Sequence, residues 1–198
     1  NKDSKIVVYD NLGVYFSPRT WWLFKTMGHQ NISVLDGGLN DWFEAGGKLE
    51  KTSNHSTKEL GDFRANYRAD LLNTSHELLS NLKIKKAIVI DARSPGRFKG
   101  IEIEPRENLK SGHIPNSLNF PFVNVLENGR FKSKKKLQEL IKPFEWNDEN
   151  LIFTCGSGVT ACIILMACEL AGIKNHKALY DGAWIAWGQG EFPVATEN

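Results

Sequence analysis

An α/β fold, a parallel sheet with helices on both faces, is predicted by three features of this 198-residue chain. Short apolar runs bounded by turn residues read as strands covered on both faces. Helical stretches alternate with those runs, and parallel strands require such crossovers. Apolar residues form 41% of the sequence, enough to bury a core in a chain of this length.

The elements follow in order. "KIVVYD" at 5–10 predicts a strand, and "SPRTWWLFKTMG" at 17–28 predicts a helix with Ser17 as N-cap and Pro18 at the first helical position. "ISVLDG" predicts the next strand and "LNDWFEAG" the next helix, with Gly28 and Gly46 where the two helices stop. Residues 48–70, "KLEKTSNHSTKELGDFRANYRAD", are polar without a sustained period and read as a linker. Beyond it, Thr74 and Glu77 have the spacing of a capping box. "KAIVIDAR" is a buried strand, "SPGRF" opens a short helix, "SLNFPF" is a strand, and "KSKKKLQELIKPF" is an amphipathic helix. "LIFTC" and "HKALYDG" are further strands, separated by the apolar helix from Val159 to Ala171 and followed by the helix "WIAWGQ".

Composition excludes several classes. Lys and Arg number 25 against 23 Asp and Glu, so no strong field draws the chain to nucleic acid or to an anionic membrane. The basic run "KSKKK" at 132–136 lacks interleaved aromatics and reads as a solvated helix end. The run from Val159 is broken by Glu169 and falls short of the ~18 residues a membrane span needs. Three cysteines, with Cys162 and Cys168 inside one apolar helix, form neither a disulfide framework nor paired metal-ligand spacings. They favour a reducing compartment, the cytoplasm, or the mitochondrion if the source is eukaryotic. "NKDSKIVVYD" lacks a signal-peptide pattern and enters a strand at once, so the chain is expected to begin within a domain.

An internal echo predicts two related units. "VLDGGLNDW" at 34–42 matches "LYDGAWIAW" at 179–187, aligning Asp36 with Asp181, Gly37 with Gly182 and Trp42 with Trp187. Where the second copy has "TCGSGVTAC", the first has "YDNLGVYFSPR" and no cysteine.

Cys155 is the focus of the chemistry. Gly156 and Gly158 permit a tight turn that exposes backbone N–H groups, and the helix from Val159 points its positive end the same way. Such a loop favours a thiolate over a thiol and lies where parallel sheets place ligands, beyond the carboxyl ends of strands. Cys162 and Cys168 read as core.

"CGSGVTA", "DARSPGRFKG", "SGHIPNSLNFP" and "YDGAW" together resemble two-domain rhodanese-family sulfurtransferases, particularly those of the 3-mercaptopyruvate type. The resemblance covers nearly the whole chain. It implies that residues 1–47 are the C-terminal part of an inactive first rhodanese-like domain, that 48–70 link it to the second, and that 71–198 form the catalytic domain. Thiosulfate-preferring members carry two basic side chains after the cysteine, whereas this chain has Gly156 and Ser157. The resemblance further implies a Cys155 persulfide, carboxylate recognition by Arg97 and Arg106, and sulfur-holding N–H groups from Gly156, Ser157, Gly158, Val159 and Thr160. Ser157 is the expected polar contact to the substrate. In the family it works with a histidine and an acid from the first domain, expected before Asn1. Thioredoxin, glutathione or cyanide are the implied acceptors, with no metal or organic cofactor.

Three other readings compete. A thiosulfate donor would want cations in the loop. A phosphatase would want an arginine where Ala161 stands. A non-catalytic persulfide carrier would need only the thiol. Of the other conspicuous residues, His113 reads as a structural landmark and Asp91 as an acceptor of backbone hydrogen bonds that ties down its loop. Trp21, Trp22, Trp42, Trp184 and Trp187 read as packing residues, Trp184 being the one placed to line the pocket.

Overall fold

The computed structural model describes residues 1–50 and 60–197; residues 51–59 of the expected linker lie outside the described residues. The chain opens with β1 (Ile6–Val8), α1 (Ser17–Thr26), β2 (Ile32–Val34) and α2 (Gly38–Glu44). β1 and β2 pair in parallel, with Val8 opposite Val34. Then follow β3 (Leu72–Asn73), α3 (Ser75–Ile84), β4 (Ala87–Asp91), α4 (Pro95–Lys99) and β5 (Leu118–Asn119). After a short hairpin of β6 (Leu126–Glu127) and β7 (Arg130–Phe131) come α5 (Lys134–Ile141), β8 (Asn150–Thr154), α6 (Val159–Ala171), β9 (Lys177–Tyr180) and α7 (Ala183–Gln189).

The main sheet is parallel throughout, in the order β3-β9-β8-β4-β5. Alternation along the strands divides its core in two. Ile90, Leu151, Phe153 and Leu179 face one side with α5 and α6, while Val89 and Ile152 face the other with Leu78 of α3 and Trp184 and Trp187 of α7. Burial on both faces explains why β8 reads as a continuous apolar run. α6 is apolar nearly all round because the sheet lies beneath it while α1 and α5 pack against it. No helix among the described residues is long and apolar enough to cross a membrane.

Local signals account for most boundaries. Thr74 and Glu77 form the reciprocal capping box that starts α3. Asn128 and Gly129, at φ 51° and 76°, make the two-residue turn between β6 and β7, as a type I′ hairpin requires. Two expectations are corrected. Ser17 lies inside α1 without capping it; the side chain of Asp10 accepts from the N–H groups of Phe16 and Ser17 instead, at 2.9 and 2.8 Å. The "SLNFPF" strand shrinks to Leu118–Asn119, because Pro121 has no N–H for a ladder and a 3-10 turn begins at Phe122.

The connections create a switch point. From β4 the chain moves outward to β5, and from β8 it moves the other way to β9. Between the carboxyl ends of β4 and β8 the flanking connections diverge, leaving the crevice where open α/β sheets bind ligands. Asp91 ends β4 and Cys155 follows β8 directly.

Candidate active site

Cys155 begins a loop that turns through Gly156 and Ser157 into α6. Gly158 sits at the N-cap in the left-handed region, φ 78°, and no side chain caps the helix. The N–H of Gly158 points back at the cysteine, 3.1 Å from Sγ. Val159 and Thr160 form the first turn, whose N–H groups have no intrahelical acceptor. Gly156, Ser157, Val159 and Thr160 are all half-buried, whereas Cys155 is 1% exposed. The loop therefore holds one N–H donor on a sulfur that solvent barely reaches, beside half-buried residues at the uncapped start of α6.

Exposure does not separate this thiol from the other two, since all three cysteines are buried. Position does. Cys162 and Cys168 lie within α6, where burial pushes both thiols up, Cys168 to about 12. Cys162 donates its thiol proton to the Gly158 carbonyl at 3.3 Å, so it meets the loop from beneath. Backbone hydrogen bonds fix the other side: Trp184 N–H to Cys155 O at 2.8 Å and Ile185 N–H to Gly156 O at 3.1 Å.

Arg97 is brought to the loop. It extends from α4 so that Nη2 lies 3.0 Å from where a Cβ on Gly156 would stand. Its Nε and Nη2 donate to Glu104, which also accepts from Arg93 Nη1 at 2.7 Å. Arg93 is itself gripped by Asp91 and the Gly112 carbonyl. This charge cluster, buried except at Arg97, was not read from the sequence, although "DAR" followed by "EPR" contains its members other than Arg97. It holds Arg97 in one orientation, with Nη1 left for an incoming anion. Arg106 is not gathered in the same way. It is exposed in the following turn and makes no hydrogen bond or ion pair with a described residue.

The remaining residues are also placed. His113 Nδ1 lies 2.7 Å from the Phe98 carbonyl and the ring stacks on Phe98, a packing role. Asp91 accepts the Arg93 N–H, as expected, and pairs with its guanidinium as well. Trp184 is buried beneath Arg93, 4.3 Å from guanidinium carbon to ring centroid, with its Nε1 on the Lys110 carbonyl, and does not face an open pocket. Trp42 departs from the packing expectation, being 45% exposed.

These motifs stand in a shared framework. The family profile "Rhodanese-like domain" matches residues 1–45 and 74–189. The chain belongs to the rhodanese-like family. It is 38% identical over 186 residues to 3-mercaptopyruvate sulfurtransferase of Mus musculus, covering 92% of this chain and 62% of that protein. It is 41% identical over 192 residues to thiosulfate sulfurtransferase of Cricetulus griseus, covering 94% of this chain and 64% of that one. Thus this rhodanese-like chain spans somewhat less than two thirds of the length of the curated relatives it matches. Among solved structures, Tum1 of Saccharomyces cerevisiae superposes with TM-score 0.84 at 31% identity, over 99% of this chain and 70% of that one. SseA of Escherichia coli, described as a 3-mercaptopyruvate sulfotransferase with the rhodanese fold, gives 0.78 at 34% identity over 93% and 68%.

Proposed function

We propose that this chain carries the catalytic part of a sulfurtransferase that takes sulfur from 3-mercaptopyruvate and passes it to a thiol or to cyanide. In this reading residues 71–198 are the catalytic domain and residues 1–47 the end of a preceding rhodanese-like domain. The Cys155 thiolate attacks the sulfur of the donor. The carbon–sulfur bond breaks with its electrons on carbon, pyruvate leaves as the enolate and is protonated, and the enzyme keeps a persulfide. An acceptor thiolate or cyanide then attacks the outer sulfur and restores the Cys155 thiolate. Glutathione and thioredoxin are acceptors of the right chemistry.

One observation carries the reading: an uncapped loop aims the Gly158 N–H at Cys155 Sγ while Arg97 stands beside Gly156. The peptide donors suit a sulfur that is anionic both before attack and as a persulfide, the oxyanion-hole principle applied to sulfur. Arg97 suits the carboxylate of the donor, and exposed Arg106 lies close enough in sequence to join it when substrate binds. Ser157 is the polar contact for the donor's thiol proton.

The relatives' names divide between the two donors, so the choice rests on the loop. Thiosulfate is a dianion that calls for cations among the loop side chains, and Gly156 and Ser157 supply none. Incubation with 3-mercaptopyruvate and a thiol is expected to release pyruvate and leave a persulfide on Cys155. Pyruvate release that survives Cys155→Ser would overturn the mechanism, and faster turnover of thiosulfate at equal concentration would reverse the donor assignment. A persulfide that forms once without turnover would favour the carrier reading.

A further inference from the structure

The Cys155 loop is braced by a residue far from it in sequence. Arg19, in the first turn of α1, donates through Nη1 to Asp181, 162 positions away, in the turn between β9 and α7. A Cβ placed on Gly158 would stand 2.9 Å from Asp181 Oδ1 and 3.0 Å from Arg19 Nη1. The ion pair therefore fills the space a side chain at position 158 would need, beside the glycine whose N–H meets the cysteine sulfur. Arg97 takes the corresponding place beside Gly156, so two arginines bracket the loop.

The surroundings hold the pair in place. The Arg19 guanidinium lies over the Trp22 ring at 4.9 Å, and Trp22 is buried in the same core cluster as Cys155 and Cys162. Burial works against its charge, but the hydrogen bond and charge of Asp181 outweigh that and hold the guanidinium above its ordinary value. Two residues past Asp181, Ala183 has φ 51°, a conformation that persists in a non-glycine residue when its environment over-determines it. The start of α7, which this turn leads into, carries the Trp184 and Ile185 N–H groups that bind the carbonyls of Cys155 and Gly156. The side chains of Arg19 and Asp181 are 21% and 37% exposed, and partly solvated ion pairs contribute little to stability.

We propose that Arg19 is a positioning residue for Cys155: through Asp181 it fixes the Gly158 peptide, and so keeps the N–H donor on the sulfur. This rests on the reading of Cys155 as the reacting thiol. Removing the guanidinium frees Asp181 and the turn it belongs to, and the Gly158 N–H swings off the sulfur.

The test compares the wild type with Arg19→Gln, Arg19→Lys, Asp181→Asn and the Arg19→Gln/Asp181→Asn double variant. Iodoacetamide labelling of Cys155, assigned by peptide mass spectrometry, is followed from pH 6 to pH 10 beside persulfide formation from 3-mercaptopyruvate and thermal unfolding. Arg19→Gln is expected to lower the ratio of the neutral to the alkaline labelling rate and to slow persulfide formation by roughly tenfold or more, the scale of a displaced donor. Lysine, which keeps the charge, should recover part of the loss. The double variant should be no worse than the poorer single, because both act through one contact. An unchanged labelling profile with unchanged persulfide formation in Arg19→Gln, whatever its melting temperature, overturns the proposal, as do losses that multiply in the double variant. If wild-type protein takes no sulfur from the donor, the sulfur-transfer reading fails, while the labelling profiles still decide the role of Arg19. Should Arg19→Gln fail to fold, the lysine and Asp181→Asn variants carry the same comparison.

Discussion

The turn from β1 into α1 and the turn from β8 into α6 have similar settings and opposite contents. Each leaves a parallel strand and enters a helix, after which the chain returns as the neighbouring strand, with Val8 opposite Val34 in one case and Phe153 opposite Leu179 in the other. The register that aligns Asp36 with Asp181 sets Asp10 against Cys155. In the first turn the Asp10 carboxylate accepts from the N–H groups of Leu12, Phe16 and Ser17 at 2.9, 2.9 and 2.8 Å. In the second, among the described residues, Cys155 Sγ takes the Gly158 N–H alone and no side chain caps the helix. A nest of peptide donors filled by its own carboxylate is a structural cap; the same nest around a thiol is open to an anion from outside.

The largest expected effect comes from closing the open turn. Gly158→Ala adds a methyl where Asp181 and Arg19 already stand, at a backbone angle of φ 78°. Either the ion pair separates or the peptide rotates, and both cost the sulfur its donor. Persulfide formation is expected to fall by roughly 10² to 10³, as when an oxyanion-hole donor is removed. Gly46→Ala is the control. Gly46 has φ 80° but nothing within 4 Å of its added Cβ, so that variant shares the backbone strain and should keep its activity. Equal losses in the two variants would show that strain, and not the crowded wall of the loop, decides activity.

An open turn also needs a neighbouring cation, which the filled one does not. Arg97→Ala should raise KM for 3-mercaptopyruvate and lower kcat/KM by roughly 10 to 10², the worth of a charge-assisted hydrogen bond. Labelling of Cys155 by neutral iodoacetamide should change much less. If both fall together, Arg97 acts on the thiol and not on the substrate carboxylate.

What the sequence made legible is local. Strand and helix order, the Thr74 cap and the Cys155 loop each depend on residues a few positions apart, and all stand in the structure. What it hid is mediated by distance. Nothing near Arg19 signals Asp181, and nothing near Arg93 signals that its loop folds over to bring Glu104 and the Gly112 carbonyl onto it. A serine before a proline is a good cap in isolation, but in the folded chain α1 starts with Phe16 at the cap position, and Asp10, several residues back, accepts from the N–H groups of Phe16 and Ser17. The equivalence of Asp10 and Cys155 was within reach, since the echo had already aligned the flanking residues.

The smallest expected effect tests the filled turn. Burial works against the charge of Asp10, but the hydrogen bonds from Ser17, Leu12 and Phe16 prevail and hold its carboxyl below the ordinary value of 3.8. A carboxyl depressed in the folded state adds stability that is complete above its unfolded value and is lost as pH falls through the folded one. Asp10→Ala should therefore cost about 1 kcal/mol at pH 7, the usual worth of a helix cap. The gap from wild type, followed by urea unfolding, should narrow below about pH 4 as the wild-type carboxylate takes up its proton. Asp10→Asn keeps an acceptor oxygen without the charge and should fall between the two at neutral pH. A gap that is the same at pH 3 and pH 7 would mean that the bulk of the side chain, and not its charge, holds the start of α1, and the contrast between a filled nest and an open one would then lose its electrostatic basis.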